Sequence, residues 1–200
     1  MSLISQPLRA ELVRAYAAPE RHYHGLRHIE ALLRLADACA DAITDRDAIE
    51  AAIWFHDAIY DTRRHDNEER SADLAVARLT GTAAPDRLEC IATMIRATAG
   101  HCVPDFIDAG AVQDCALFLD MDLAILGSPA AEFEDYERAV RREYDWVSEP
   151  QWRAGRRTVL ADFLARPAIY ASARFRTSHE AAARRNLAHA LAQLDQEPVG

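Results

Sequence analysis

The sequence contains few residues that interrupt helices, with only 7 glycines and 8 prolines among 200 residues. No segment alternates polar and apolar residues over six positions, which is the pattern of a half-buried strand. Half of the residues are hydrophobic and 28% are charged, a composition typical of globular domains. These features predict an all-α fold.

The sequence also lacks the features of a membrane or exported protein. No uninterrupted apolar run approaches the ~20 residues of a membrane span. The N-terminal segment MSLISQPLRAELVRAY has neither the apolar core nor the cleavage site of a signal peptide. No two cysteines form a CxxC pair, which favours reduced thiols. We therefore expect a cytoplasmic protein that does not bind membranes.

Positive charge is scarce as well. The net charge is −9, and no long basic run occurs. Such a chain is a poor candidate for binding duplex nucleic acid. A small anionic substrate remains compatible, because local arginines and a metal ion can outweigh the overall negative charge.

Apolar periodicity and start signals predict eight or nine helices in one domain spanning residues 1–200. Thr44 and Asp47 are expected to form a capping box. Ser128 and Ser178 are expected to precede two later helices, at the first of which Pro129 occupies the opening turn. The predicted helices lie near residues 7–17, 28–42, 46–60, 68–80, 85–98, 109–118, 129–146, 150–165 and 179–195.

A His-Asp doublet, His56-Asp57, lies within the apolar segment AAIWFHDAIYD. Burying such a pair costs several kcal/mol unless a partner compensates. A divalent cation accepts both an imidazole nitrogen and a carboxylate oxygen. In a helix over residues 45–60, His56 would face the core, with Asp57 about 100° round the axis, so both could reach one ion.

Two other apolar segments carry similar groups. His28 begins the inward face of the helix that follows it, and Asp120 and Asp122 interrupt the apolar string CALFLDMDLAIL. A lone buried histidine is more often a core residue with satisfied hydrogen bonds than a ligand. Three segments that each direct a His or Asp inward favour a metal site instead.

The order His, His-Asp, Asp resembles the HD superfamily of metal-dependent phosphohydrolases, which are helical and hold a divalent metal. The resemblance implies His28, His56, Asp57 and Asp122 as ligands. Met121-Asp122-Leu123 fits the family pattern better than the context of Asp120, which we keep as a supporting residue behind the ligands. The metal is expected to be Mn, Fe, Co, Ni, Zn or Mg.

The segment YHGLRH resembles the YHxxxH motif of cyclic-nucleotide phosphodiesterases, which implies His28 as a ligand and His24 as a general acid. Asp57 is expected to take part in catalysis as well as in metal binding. Together with AIWFHDAIYD, DNEERSA and FLDMDLAILG, this segment resembles a predicted bacterial subfamily of HD-type hydrolases over residues 10–195.

These resemblances imply hydrolysis of a small phosphoester, with a nucleotide as one candidate substrate. The alternative is a metal- and nucleotide-binding HD module with weak turnover, acting as a sensor or regulator. Arginines suit contacts to phosphate, and Glu68 and His101 could assist a metal-held water, the phosphate or a second ion. The candidate arginines are Arg27, Arg141, Arg156 and Arg184. The sequence does not indicate an oligomeric state.

Overall fold

The structure, a computed structural model, describes residues 2–105 and 108–196. Within these residues the secondary structure is helical, apart from one isolated bridge between Thr80 and Ala83. The prediction of an all-α fold is therefore confirmed. The α-helices in this part of the chain are α1 (Gln6–Tyr16), α2 (Leu26–Ala38), α3 (Arg46–Phe55), α4 (Asn67–Leu79), α5 (Pro85–Ala97), α6 (Ala109–Asp122), α7 (Ala130–Glu143), α8 (Glu149–Ala165) and α9 (Ala173–Asp195).

The chain divides into two compact units, Met1–Asp122 and Leu123–Gly200. The first unit contains α1 to α6. The second contains a 3₁₀-helix at Leu123–Gly127 and α7 to α9. The single domain expected over residues 1–200 stays a prediction. Among the described helices, none combines the length and the apolarity needed to cross a bilayer.

Helix α3 is the central element of the first unit, where it packs against α2, α4, α5 and α6. A helix surrounded in this way must be apolar on nearly every face. The sequence meets this requirement, since seven of the ten residues in α3 are buried, including Ile49, Ile53 and Phe55. The residue that directly follows α3, His56, is buried as well.

The start of α3 differs from the predicted capping box at Thr44 and Asp47. Asp45 is the N-cap, and its carboxylate accepts a hydrogen bond of 3.0 Å from the Ala48 amide. Arg87 donates two hydrogen bonds to the same carboxylate. A cap with an arginine partner satisfies amides of the first helical turn without help from Thr44.

The end of α3 also differs from the prediction, because the helix stops at Phe55 rather than near residue 60. The backbone beyond it finds partners outside the helix. The Asp57 carbonyl accepts a hydrogen bond from Arg21, and the Ile59 amide and carbonyl both bond to the hydroxyl of Ser71. A further helical turn is therefore not needed to satisfy these groups.

In the second unit, α8 and α9 pack together and the 3₁₀-helix lies against α9. Gly127 allows this contact, because a Cβ atom there would lie 2.7 Å from the Cβ of His179. Helix α9 begins earlier than predicted, at Ala173, after the N-cap Ser172. Ser178, the predicted cap, lies inside the helix, where its hydroxyl donates to the Arg174 carbonyl.

The start of α7 is a further difference. Pro129 is its N-cap and supplies no side-chain hydrogen bond. The hydroxyl of Ser128, the predicted cap, instead donates to the Ile125 carbonyl at 2.8 Å, within the preceding 3₁₀-helix.

Candidate metal centre

His28 is the third residue of α2 and lies on the face of that helix that packs against α3 and α6. Gly25 is the N-cap of α2 and lies close to the preceding chain, since a Cβ there would be 3.3 Å from the carbonyl oxygens of Tyr16 and Arg21. The His28 side chain is only 3% exposed. The polar ring is therefore held in the interior of the first unit.

His56 follows directly after α3 and keeps helical backbone angles, with φ −56° and ψ −38°. Its Nδ1 lies 3.0 Å from the Ile53 carbonyl oxygen, and Phe118 packs edge-on against its ring. A carbonyl can only accept, so Nδ1 carries a proton, and the Nε2 offers its lone pair once the ring is neutral. Histidines that bind metals are commonly oriented by this type of hydrogen bond.

Asp122 is the last residue of α6, a helix that contacts both α2 and α3. Its Oδ1 lies 3.0 Å from the Nε2 of His28 and 3.6 Å from the Nε2 of His56. Asp120 is buried but does not belong to this group of facing ligand atoms. Of the two aspartates that the sequence offered, Asp122, which it favoured, is the one that faces the histidines.

Three residues offer ligand atoms within 4.8 Å of one another, and they could hold a metal ion: His28, His56 and Asp122. The two Nε2 atoms are 3.2 Å apart, and the Oδ2 of Asp57 lies 3.1 Å from the Nε2 of His56. Ligands at ~2.1 Å from one ion in tetrahedral or octahedral geometry are about 3.0–3.4 Å apart. Apart from the slightly wider 3.6 Å between His56 and Asp122, the distances lie in this range, so the spacing suits a common cation.

The charges in this cluster reinforce one another. Burial would lower the pKa of His56, but the carboxylates of Asp57 and Asp122 raise that pKa well above its usual value. Burial would raise the pKa of Asp57, yet His56 and, to a smaller extent, His24 lower it. The pKa of Asp122 is also held low against burial, chiefly by His56. Two ionised carboxylates that are 15% and 13% exposed therefore need nearby positive charge, which a proton or a divalent cation supplies.

His101 lies beside the cluster, with its Nε2 2.8 Å from the Oδ2 of Asp122. Each oxygen of this carboxylate therefore faces a different histidine, Oδ1 facing His28 and Oδ2 facing His101. His101 has a φ of +46°, in the left-handed region that costs an L-residue roughly 1–2 kcal/mol. The contact with Asp122 places His101 behind the Asp122 carboxylate. A role of His101 at a phosphate or a second ion stays a prediction.

His24 is half-buried in the loop before α2. Its ring stacks on Tyr60 at 4.5 Å between centroids, and its centroid is 6.0 Å from that of His28. It therefore lies next to the cluster, and it is not one of the residues whose ligand atoms converge. This placement is compatible with the predicted role of a proton donor.

The predicted phosphate contacts fall into two groups. In the first unit, Arg27 is exposed next to His28, and Glu68 is half-buried in the first turn of α4. In the second unit, the arginines have partners within that unit. Arg141 donates to the carbonyls of residues 144 and 147, Arg156 to the side chains of residues 136 and 137, and Arg184 to the carbonyls of residues 164, 166 and 167.

One residue near the cluster was missed from the sequence, namely Arg21. Its guanidinium donates to the carbonyl oxygens of His24, Asp57 and Ala58. The sequence feature that could have pointed to Arg21 is its positive charge two residues before Tyr23, in the segment that carries the first histidines. That signal is weak, because the carbonyls that Arg21 contacts at the end of α3 are 36 and 37 residues away in sequence.

Comparisons with known proteins supply no relative. The chain matches no protein-family model, no curated protein and no solved structure. The resemblance to the HD superfamily therefore stays a prediction that rests on the motifs quoted above.

Proposed function

We propose that this protein is a metal-dependent phosphohydrolase that acts on a small phosphoester, with nucleotides among the candidate substrates. The observation that carries the proposal is the convergence of His28, His56 and Asp122, with Asp57 beside them, inside one unit. A structural core gains little from two ionised carboxylates beside two imidazoles, whereas a cation site requires such a set. A cytoplasmic location belongs to the same proposal.

In this proposal, the ligands of the ion are His28, His56, Asp57 and Asp122. Mixed nitrogen and oxygen donors suit Mn, Fe, Co, Ni or Zn, and the carboxylates also suit Mg. When bound, such an ion activates water and polarises a phosphoryl group. Four protein ligands would leave two open positions, for water and a substrate oxygen, only on a six-coordinate ion.

The protein's own side chains supply the remaining chemistry. His24 gives a proton to the oxygen that leaves phosphorus, since an imidazole near neutral pH can serve as a general acid. His101 holds one oxygen of Asp122 and so keeps the other directed at the histidines. Arg27 and Glu68 are the first-unit residues assigned to the substrate and its water.

The two histidines of the YHGLRH segment provide the decisive test. His24→Ala should keep its metal yet turn over about 10²–10⁴ times slower, the usual range for general acid–base catalysis. His28→Ala should lose both metal and turnover. Bound metal is measured by elemental analysis. Turnover is measured as release of p-nitrophenol from mono- and bis-p-nitrophenyl phosphate, and then as hydrolysis of a panel of nucleotides. Each turnover assay contains added Mn²⁺, Co²⁺, Zn²⁺ or Mg²⁺.

His22→Ala is the matched control, because His22 is an exposed histidine in the same loop. It should match the wild type in metal content and rate. If metal loss occurs in His24→Ala and not in His28→Ala, the roles of the two residues are reversed. If the wild-type protein binds metal but cleaves none of these esters, the enzyme proposal fails and the metal- and nucleotide-binding module takes its place.

A further inference from the structure

Arg21 makes an unusual set of contacts for a side chain in a loop. Its Nη1 donates to the carbonyl oxygens of His24 at 3.1 Å and Asp57 at 2.6 Å, and its Nη2 donates to that of Ala58 at 3.2 Å. The guanidinium also lies over two aromatic rings, 5.0 Å from the centroid of Tyr16 and 5.3 Å from that of Tyr60. The group is therefore held both by hydrogen bonds to carbonyls and by contacts with two aromatic rings.

The three carbonyls belong to two separate segments. One is the loop that carries His24, and the other is the turn after α3 that carries Asp57. Carbonyls just past the end of a helix have no intrahelical donor, and a cation there is favoured by the helix dipole. Arg21 supplies both the missing donors and the positive charge, so it takes the place of a further turn of α3.

These contacts reach the two groups that the proposed chemistry uses. Arg21 holds the Asp57 backbone through the Asp57 carbonyl oxygen. The position of this backbone decides whether the Asp57 carboxylate points towards His56. The carbonyl of His24 is held directly, and the ring of His24 stacks on the same Tyr60 that lies beneath the guanidinium. One side chain therefore ties the two motif segments together.

We propose that Arg21 is a positioning residue, whose guanidinium holds Asp57 in place for metal binding and His24 in place for proton donation. This inference rests on the proposed function, and it adds a residue that touches neither the ion nor the substrate. The planar fork of arginine can donate to three carbonyls and contact two aromatic rings at once. The single ammonium of lysine cannot reproduce this arrangement.

The first test measures affinity for Co²⁺ by its visible absorption, which reports ligand geometry without any substrate. Arg21→Ala should bind Co²⁺ about 10–100-fold more weakly than the wild type, as is usual when a group that orients a ligand is removed. Arg21→Lys should lie between the two, and added guanidinium ion should restore part of the affinity of Arg21→Ala. Such rescue distinguishes positioning from a general loss of stability.

The matched control is Arg176→Ala. The Arg176 guanidinium also donates to backbone carbonyls, those of Tyr170 and Ala171, but it lies in the second unit. This variant should bind Co²⁺ with wild-type affinity and give an unchanged spectrum. A comparable loss in Arg176→Ala would mean that the effect at Arg21 is unspecific and would overturn the inference.

The second test does not depend on metal. The Cε1 proton of His24 in the NMR spectrum carries a ring-current shift from Tyr60, with which it stacks. Arg21→Ala and Arg21→Lys should both move this resonance, and Arg176→Ala should leave it in place. If the wild type binds no Co²⁺, the proposed function fails while this measurement still decides the role of Arg21. An unmoved His24 resonance in both Arg21 variants, or wild-type Co²⁺ affinity in both, would overturn the inference.

Discussion

Loss of one proposed ligand should abolish most of the stabilisation that metal confers on the folded protein. His28 is the most informative position, because its Nε2 lies 3.2 Å from the Nε2 of His56 and 3.0 Å from the Oδ1 of Asp122. His28→Ala removes one of the three atoms that converge. It also leaves the Asp122 carboxylate with one donor fewer.

The size of the effect follows from binding linkage. A ligand at 100 times its dissociation constant stabilises the folded state by about 2.7 kcal/mol. Loss of a group that only supports a ligand can already weaken metal binding ~100-fold. Removing a ligand atom itself should weaken metal binding by at least this factor. At the same metal concentration, the stabilisation then falls to about 0.4 kcal/mol. For a chain of this size, 1 kcal/mol corresponds to roughly 2–4 °C in Tm, so the metal-induced shift should fall from roughly 5–11 °C to roughly 1–2 °C.

The assay is differential scanning calorimetry of each variant after chelation and again with metal restored. Each variant is compared with itself, so the cavity left by the imidazole cancels from the difference. His22→Ala, at an exposed position, should show the full wild-type shift. A full shift in His28→Ala would refute the assignment of His28 as a ligand.

Three further predictions concern other positions. Asp57→Ala should reduce metal content, and elemental analysis equal to that of the wild type would exclude Asp57 as a ligand. The hydrogen bonds from Arg87 lower the pKa of Asp45 below its usual 3.8. The Asp45 charge therefore stabilises the folded state fully above pH 3.8, and this stabilisation is lost as the pH falls through the lowered pKa. Asp45→Asn keeps a capping side chain and removes the charge. It should therefore lower the urea midpoint at pH 7, and this loss should shrink as the pH falls below 3.8. A loss of constant size down to acid pH would contradict the role of the charge. Burial raises the pKa of the Cys115 thiol to about 12, whereas Cys102 is exposed. Ellman's reagent at about pH 8 should therefore modify Cys102 in the native protein and Cys115 only after unfolding, and rapid native labelling of Cys115 would contradict its burial.

The positions of the helices were largely predictable from the sequence. Helix formation depends on local properties, here scarce glycine and proline and a 3.6-residue apolar period. Nine α-helices accordingly lie in the described residues, close to the predicted ranges. The end of α3 was predicted wrongly because the apolar pattern continues to Tyr60. Helix ends depend on where backbone groups find partners, and here the partners are Arg21 and Ser71.

The residues of the candidate site were predictable for a similar reason. A histidine or aspartate within an apolar segment is drawn towards the interior, and several such groups placed together require a shared compensating charge. This reasoning identified His28, His56 and Asp57 from single segments. It also narrowed the distal aspartate to two positions, Asp120 and Asp122.

Only the tertiary structure decided which groups meet. Asp120 and Asp122 lie in equally apolar surroundings in the sequence, and the packing of α6 against α2 and α3 directs Asp122 at the histidines. The contacts of His101 with Asp122 and of Arg21 with the end of α3 join residues 21 and 36 positions apart. No local pattern encodes such pairs, because hydrogen bonds between distant segments exist only once the helices have packed.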